Sequence, residues 1–300
     1  HFRSRTMSHM VTLLRCLCIG TTLLGYVYYE ILQHGVNVTW VWLLESPVFN
    51  SVYFETWYTT ICYAILLAVP WVMDKIPACR NYQMSRKMRW QSVSVLTILM
   101  EAVTYCTPLM TLDTFMVKKY PGVESSQLAE RRTSWIQTTR VLPKDPPALI
   151  SIVIQLVGSF IIYDALFFAC HFTLHKNAWL YKHVHRLHHD HDVIYSRVTN
   201  QLSIPERIVL VLTANEALKI MHSHPITRTL FVPLFIAALV DNHSGFDLPC
   251  TWDKVVPWGL VGGSKRHYDH HVHGSRHYQP FFTYIDAFIE YYKKPAKARD

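Results

Sequence analysis

Three histidine-dense clusters occupy the C-terminal half of the chain: His171-Phe-Thr-Leu-His175, His185-Arg-Leu-His188-His189 and His267-Tyr-Asp-His270-His271. As patterns they read HxxxH, HxxHH and HxxHH. Of the 18 histidines, all but His1, His9 and His34 follow residue 170. Residues three and four apart on a helix share one face, so each cluster can aim two or three imidazoles at one point. Imidazole is a ligand for iron, zinc, copper and nickel. The imidazoles of the three clusters exceed what one ion of about four to six ligands accepts, which favours two metals. Whatever this chain folds into has to bring three separated segments together.

The segments between and before the clusters are apolar. Half of the residues are hydrophobic and only 17 % are charged, against about 25 % in a soluble domain. Met10–Leu32 would be about 34 Å long as a helix, enough for a bilayer core, and reads as a membrane anchor rather than a signal peptide. Arg15 near its start can snorkel. Val52–Met73, Ser92–Leu112 and Ala148–Cys170 are the next candidate spans, the third carrying Glu101 and Pro108. Ile208–Met221 and Ile226–Val240, joined at His224-Pro225, read as a hairpin that dips into the membrane and returns. The fold expected is therefore all-α: an integral membrane protein with about four transmembrane spans, a membrane-dipping hairpin and a cytosolic cap whose histidines hold two metals. Residues 1–147 form an N-terminal anchor and loop, residues 148–290 the catalytic unit, and residues 291–300 a basic tail.

Lysine and arginine set the orientation. Residues 33–73 contain none, whereas Lys75, Arg80, Arg86, Lys87 and Arg89 crowd residues 74–90. That places 74–90 in the cytosol and 33–51 on the lumenal side. Parity then puts all three histidine clusters on the cytosolic face. The net charge of +8 lies mainly in loops, which suits an anionic membrane surface rather than nucleic acid. The seven cysteines form no CxxC pair, so neither a disulfide framework nor a thiolate metal site is expected.

His171 and His175 stand i, i+4 at the end of a long apolar helix. Asp164 shares their face two turns earlier, and an ionisable group there is a functional candidate by default. A carboxylate accepting the far N–H of a metal-bound histidine is its expected role. His183, His191, His273 and His277 stay open between ligand, supporting group and plain surface histidine, while Glu101 and Cys106 read as helix-contact residues. A zinc protease needs HExxH, which is absent, and soluble di-iron bundles use Glu-x-x-His pairs, also absent. An all-histidine, membrane-embedded, dinuclear site remains, and attack on an unactivated C–H bond needs a metal to supply the oxidising power.

At this point the chain resembles the fatty acid hydroxylase/sterol desaturase superfamily of integral membrane di-iron enzymes. The resemblance covers about residues 148–290. It rests on the three boxes in order, on Asp164 before HxxxH, on Pro205-Glu206 after the second box, and on Asn242-His243-Ser244-Gly245-Phe246-Asp247 before the last. The resemblance implies two irons (zinc as an isolation artefact) held by His171, His175, His185, His188, His189, His243, His267, His270 and His271. Some members carry a further histidine where this chain has Asp247, which leaves Asp247 as a ligand, a supporting acceptor or neither. It implies a monooxygenase that uses O2 and electrons from cytochrome b5 or an NAD(P)H reductase to hydroxylate a lipid, a sterol first. Desaturation is the alternative outcome within the superfamily. Residence in the endoplasmic reticulum membrane follows from the resemblance as well. Outside it stand a membrane metal transporter, disfavoured because the clusters fall beyond the span ends rather than at mid-membrane, and an inactive member kept as a binding protein.

Overall fold

The computed structural model describes residues 2–85 and 94–293. Arg86, Lys87, Arg89, the start of the expected span at Ser92 and most of the basic tail lie outside these residues. Among the described residues there is no strand, only three isolated bridges. The longer helices are α1 (Phe2–Val27), α2 (Tyr29–Glu45), α3 (Phe54–Lys75), α4 (Val95–Phe115), α5 (Leu149–Lys176), α6 (Ile204–Ile220), α7 (Pro225–Asn242), α8 (Gly263–His273) and α9 (Tyr284–Lys293).

Five helical segments are long and apolar enough to cross a membrane: Met7–Val27, Phe54–Lys75, Val95–Phe115, Leu149–Lys176 and Pro225–Asn242. The apolar side chains of α1 and α4 point outward: Leu13, Leu17, Ile19 and Leu23 on one, Leu96, Leu99 and Val103 on the other. Such a surface demands lipid. The hairpin expected near His224-Pro225 is present as α6 and α7, but α7 is itself long and apolar enough to span. Its first turn is set by Pro225 at the start and by His224, whose ring accepts Ile226 N–H at 3.2 Å.

The stretch 33–51, expected as a lumenal loop, is largely helical. α2 continues almost directly from α1 past Tyr28, and Ser46 caps a further short helix, Pro47–Asn50. The cause is tertiary. Trp40 is fully buried with Phe49, Ile152 and Ile226, and Val36, Leu43 and Leu44 pack around them. These positions recur at helical spacing, and the Trp40 indole N–H reaches the Lys144 carbonyl at 3.2 Å.

The main core joins α5, α6 and α7 through Tyr163, Ala217, Leu218, Phe231, Phe235, Ile236 and Val240, closed by Phe281. Several of its rings meet edge-on or tilted, as aromatic quadrupoles prefer: Tyr163 and Phe235 stand 4.6 Å apart, Phe160 and Phe231 4.8 Å. α3 and α7 begin at one end of this bundle, where Arg228 donates twice to Glu55 at 3.1 and 3.0 Å. Their other ends meet through Met84 N–H to Gly245 O and Asp247 N–H to Tyr82 O, both 2.9 Å. Arg15 of α1 reaches that same end, donating to the Val255 carbonyl at 2.8 Å. Glu101, in α4, pairs with Arg197, and Cys106 lies 3.3 Å from the Thr60 hydroxyl.

Candidate metal centre

The histidines gather where α5 and α7 end. His171 and His175 occupy the last turns of α5. Asn177 then stops the helix, its side chain accepting Trp179 N–H at 3.0 Å and Leu180 N–H at 3.1 Å. The chain turns back through a short π-helical stretch, Tyr181–His185, and one α turn, Arg186–His189. Wide turns of this kind recur at functional sites. His243 caps α7, and α8 carries the last box.

Two groups result: His171, His175, His185, His189 and His270 in one, and His188, His243, His267 and His271 in the other. Helix geometry explains the division. Each HxxHH box gives its i, i+4 pair to one group and its middle histidine to the other, because positions three and four apart diverge around the helix axis. His185 and His189 join the first group and lend His188 to the second. His267 and His271 join the second group and lend His270 to the first. All nine sequence-derived histidines therefore stand in one group or the other.

The contacts within each group are not ordinary hydrogen bonds. In the first group His171 Nε2 lies 3.2 Å from the Nε2 atoms of His185 and His175, and His185 Nε2 lies 2.9 Å from His175 Nε2 and 3.0 Å from His189 Nε2. His171 donates its Nδ1–H to the Tyr278 carbonyl at 2.8 Å, and His270 donates to the Arg276 carbonyl at 2.7 Å. His185 Nδ1 stands 2.6 Å from Glu206 Oε1. A neutral imidazole that donates through Nδ1 has a bare lone pair at Nε2. Lone pairs crowded together in a buried space call for a cation between them. In the second group His243 donates from Nδ1 to the Leu239 carbonyl at 2.8 Å, and its Nε2 faces His188, His267 and His271 at 3.3, 2.9 and 3.2 Å. Metal–imidazole bonds of about 2.0–2.1 Å put two ligand nitrogens about 3 Å apart at a right angle. The residues present fit metal ions in both groups.

Electrostatics agree. Burial, reinforced by the neighbouring imidazoles, pushes His185, His188, His267, His270 and His271 well below the usual histidine range. Burial lowers His189 and His243 to about 4. These rings are neutral at pH 7, the state that ligates. Burial also pushes the Glu206 carboxyl well above its usual range, and its Oε2 has no partner. A cation held by the adjacent histidines would stabilise a carboxylate there.

The two carboxylates singled out from the sequence sit elsewhere. Asp164 is fully buried but touches no histidine. It accepts Phe281 N–H at 2.8 Å and Phe282 N–H at 3.0 Å and is bonded by the Gln279 amide. The expected acceptor position behind a box histidine is taken instead by Glu206 and by main-chain carbonyls. Asp247 belongs to neither group. It faces Lys254 Nζ at 2.8 Å. Among the histidines left open, His183 packs on Trp179 and His273 on Asp269. His191 Nε2 lies 3.1 Å from His271 Nδ1, where it holds a member of the second group from behind. Glu206 had a sequence signal in the Pro205-Glu206 step, whereas Tyr278 and Arg276 contribute through backbone that no side-chain pattern reveals.

Residues 156–291 match the fatty acid hydroxylase family, a stretch that contains all three histidine boxes. The chain is 24 % identical to human cholesterol 25-hydroxylase over 255 residues, covering 84 % of this chain and 86 % of that relative. It is 26 % identical to a cholesterol 25-hydroxylase-like protein of Danio rerio, covering 82 % and 91 %. A Dictyostelium discoideum protein provisionally named a methylsterol monooxygenase is 26 % identical, covering 73 % of this chain and 75 % of its own length. No solved structure matches significantly.

Proposed function

We propose that the chain is a membrane di-iron monooxygenase that hydroxylates a lipid, with a sterol as the substrate class. The observation that carries this reading is the pair of converging imidazole groups at the end of an apolar helix bundle. The names of the relatives, cholesterol 25-hydroxylase and methylsterol monooxygenase, support the sterol assignment. His171, His175, His185, His189 and His270 would hold one iron, and His188, His243, His267 and His271 the other. Bound there, the two ions would together supply O2 activation and the oxidising power for an unactivated C–H bond.

The chain's own residues do the rest. Glu206 and the carbonyls of Tyr278, Arg276 and Leu239 accept hydrogen bonds from the Nδ1–H groups and so keep the Nε2 lone pairs turned inward. Helices α5 and α7 end at the centre, so a lipid lying in the bilayer beside them would reach it from the membrane. Residues 148–290 are the catalytic unit in this reading, and residues 1–147 pack on it through Trp40. Lys75, Arg80, Lys176, Lys182 and Arg186 lie at the histidine end, which supports a cytosolic face. There cytochrome b5 or an NAD(P)H reductase would deliver electrons, in the endoplasmic reticulum membrane. A transport role fits less well, since both histidine groups lie at helix ends rather than at mid-span.

The test is mass spectrometry of lipids from yeast microsomes that carry the chain or its His188→Ala variant. A sterol one oxygen heavier only with the intact chain is expected. A sterol two hydrogens lighter would move the reaction to desaturation, and a change confined to sphingoid or fatty acyl lipids would overturn the sterol assignment.

A further inference from the structure

The five-histidine group leans on one short stretch of backbone that holds none of its members. His270 donates to the Arg276 carbonyl at 2.7 Å and His171 to the Tyr278 carbonyl at 2.8 Å. Between those carbonyls His277 adopts φ 61°, in the left-handed region that residues other than glycine rarely enter. Three carboxylates from three helices pin this segment. Asp269 of α8, next in sequence to His270, accepts Arg276 Nε–H at 2.6 Å and lies 3.2 Å from His277 Nε2. Asp286 of α9 accepts Tyr278 N–H at 3.1 Å and Gln279 N–H at 3.0 Å. Asp164 of α5 accepts Phe281 and Phe282 N–H. Gln279 closes the circuit, its Oε1 accepting Ile285 N–H at 2.6 Å and Asp286 N–H at 2.9 Å.

We propose that residues 276–282 are a positioning strap for the five-histidine group, and that the left-handed turn at His277, not its imidazole, aims the two carbonyls at His270 and His171. The inference rests on the reading of these histidines as metal ligands. An imidazole is free to rotate about its bond to Cβ unless its second nitrogen is held, so the partner of Nδ1 decides where Nε2 points. Here two ligands take their partners from carbonyls two residues apart. A displacement of that stretch misdirects both at once. The His277 ring is in neither histidine group. It faces Asp269 on one side and Glu290, 3.5 Å away, on the other. The strap also gives the fully buried Asp164 its purpose. It acts on the centre through the strap rather than by touching a histidine.

The test measures zinc per chain and zinc affinity by chelator competition on the full-length protein in detergent, with circular dichroism to verify the fold. Glycine and asparagine tolerate the left-handed region, and a β-branched residue resists it. His277→Gly and His277→Asn are expected to keep two zinc ions per chain within about twofold of parental affinity. His277→Val is expected to weaken one of the two by about 10- to 100-fold, the usual effect of losing a ligand's supporting partner, with the other unchanged. His277→Ala, which strains the turn less, provides the same comparison with a smaller loss should the valine variant not fold. A glycine variant as impaired as the valine variant would overturn the proposal and assign the role to the imidazole. Valine and alanine variants that both keep parental affinity would overturn it too. His270→Ala, measured alongside, separates the two levels: if it keeps both ions at parental affinity, the ligand reading itself has failed and the strap falls with it.

Discussion

At the scale of single residues, the centre consists of neutral, largely buried imidazoles, of which His171, His185, His243 and His270 are held from behind by Glu206 or a main-chain carbonyl. The histidine boxes were legible in the sequence because i, i+3 and i, i+4 spacing is a local property. Their sorting into two groups was not, because it depends on which way the π turn at Tyr181–His185 and helix α8 face each other. The acceptors were only partly legible: Asp164 was the obvious acid on the right face, but its carboxylate meets backbone N–H groups of a segment more than a hundred residues later. Glu206 meets His185 instead. Glu206→Ala is therefore expected to lower metal affinity about 10- to 100-fold, measured by chelator competition, whereas Asp247→Ala should leave it near the parental value. Acid pH offers a second check. Folding and burial depress His189 and His243 to about 4, while in an unfolded chain each would take up a proton near about 6.5. The folded, ligating form is thus fully favoured above about pH 6.5 and loses that advantage as pH falls toward 4. Metal per chain after dialysis should stay constant from about pH 8 to 7 and drop across that lower window. Parental metal content at pH 4.5 would contradict histidine ligation.

At the scale of elements, the apolar periodicity that marked the long helices was reliable where length and composition agreed, as in α3 and α5. It missed α2, whose helicity depends on Trp40 finding Phe49, Ile152 and Ile226. It also shortened α7, because Pro225 and Arg228 look like loop chemistry until His224 caps the helix and Arg228 meets Glu55. The start of α8 shows how tightly one junction is set. Gly263 has φ +63°, and a Cβ there would stand 2.4 Å from Asp253 Cγ and 2.7 Å from its Cβ. Asp253 is not free to withdraw, since it accepts from the Thr251 hydroxyl at 2.6 Å and pairs with Lys254. Gly263→Ala should therefore cost about 2 kcal/mol or more, the strain of the backbone plus the clash. Gly158 looks similar on distance alone, with a Cβ position 2.5 Å from Met221 Cε. There the obstacle is the end of a flexible side chain, so Gly158→Ala should cost clearly less. Thermal unfolding of both variants in detergent decides the order, and equal losses would refute the argument from side-chain freedom.

At the scale of the whole molecule, the bundle has two polar ends with different duties. One end holds the histidines. At the other, Glu55 takes two bonds from Arg228, one from Lys118 at 2.8 Å and one from the Tyr120 hydroxyl at 3.0 Å. Arg140 stands 3.7 Å away, its guanidinium packed over Phe49, Phe54 and Tyr120. Asp113 adds a second acid, 2.6 Å from Lys118 and bonded by the Thr56 hydroxyl. Three cations thus share two carboxylates where α3, α4 and α7 meet, which ties the first half of the chain to the second. Glu55→Gln keeps the shape and removes one of those two negative charges. The remaining partners are too buried to be rehydrated, so the loss should be about 3 kcal/mol in unfolding free energy. Along α7, Arg228 of this network and His243 of the histidine end stand about 22 Å apart. Metal per folded chain should therefore be unchanged in Glu55→Gln, and combining it with His270→Ala should give additive stability losses to within about 0.5 kcal/mol. A larger interaction between the two substitutions would mean that the helices transmit strain from one end to the other, and the two ends would no longer be independent parts of one scaffold.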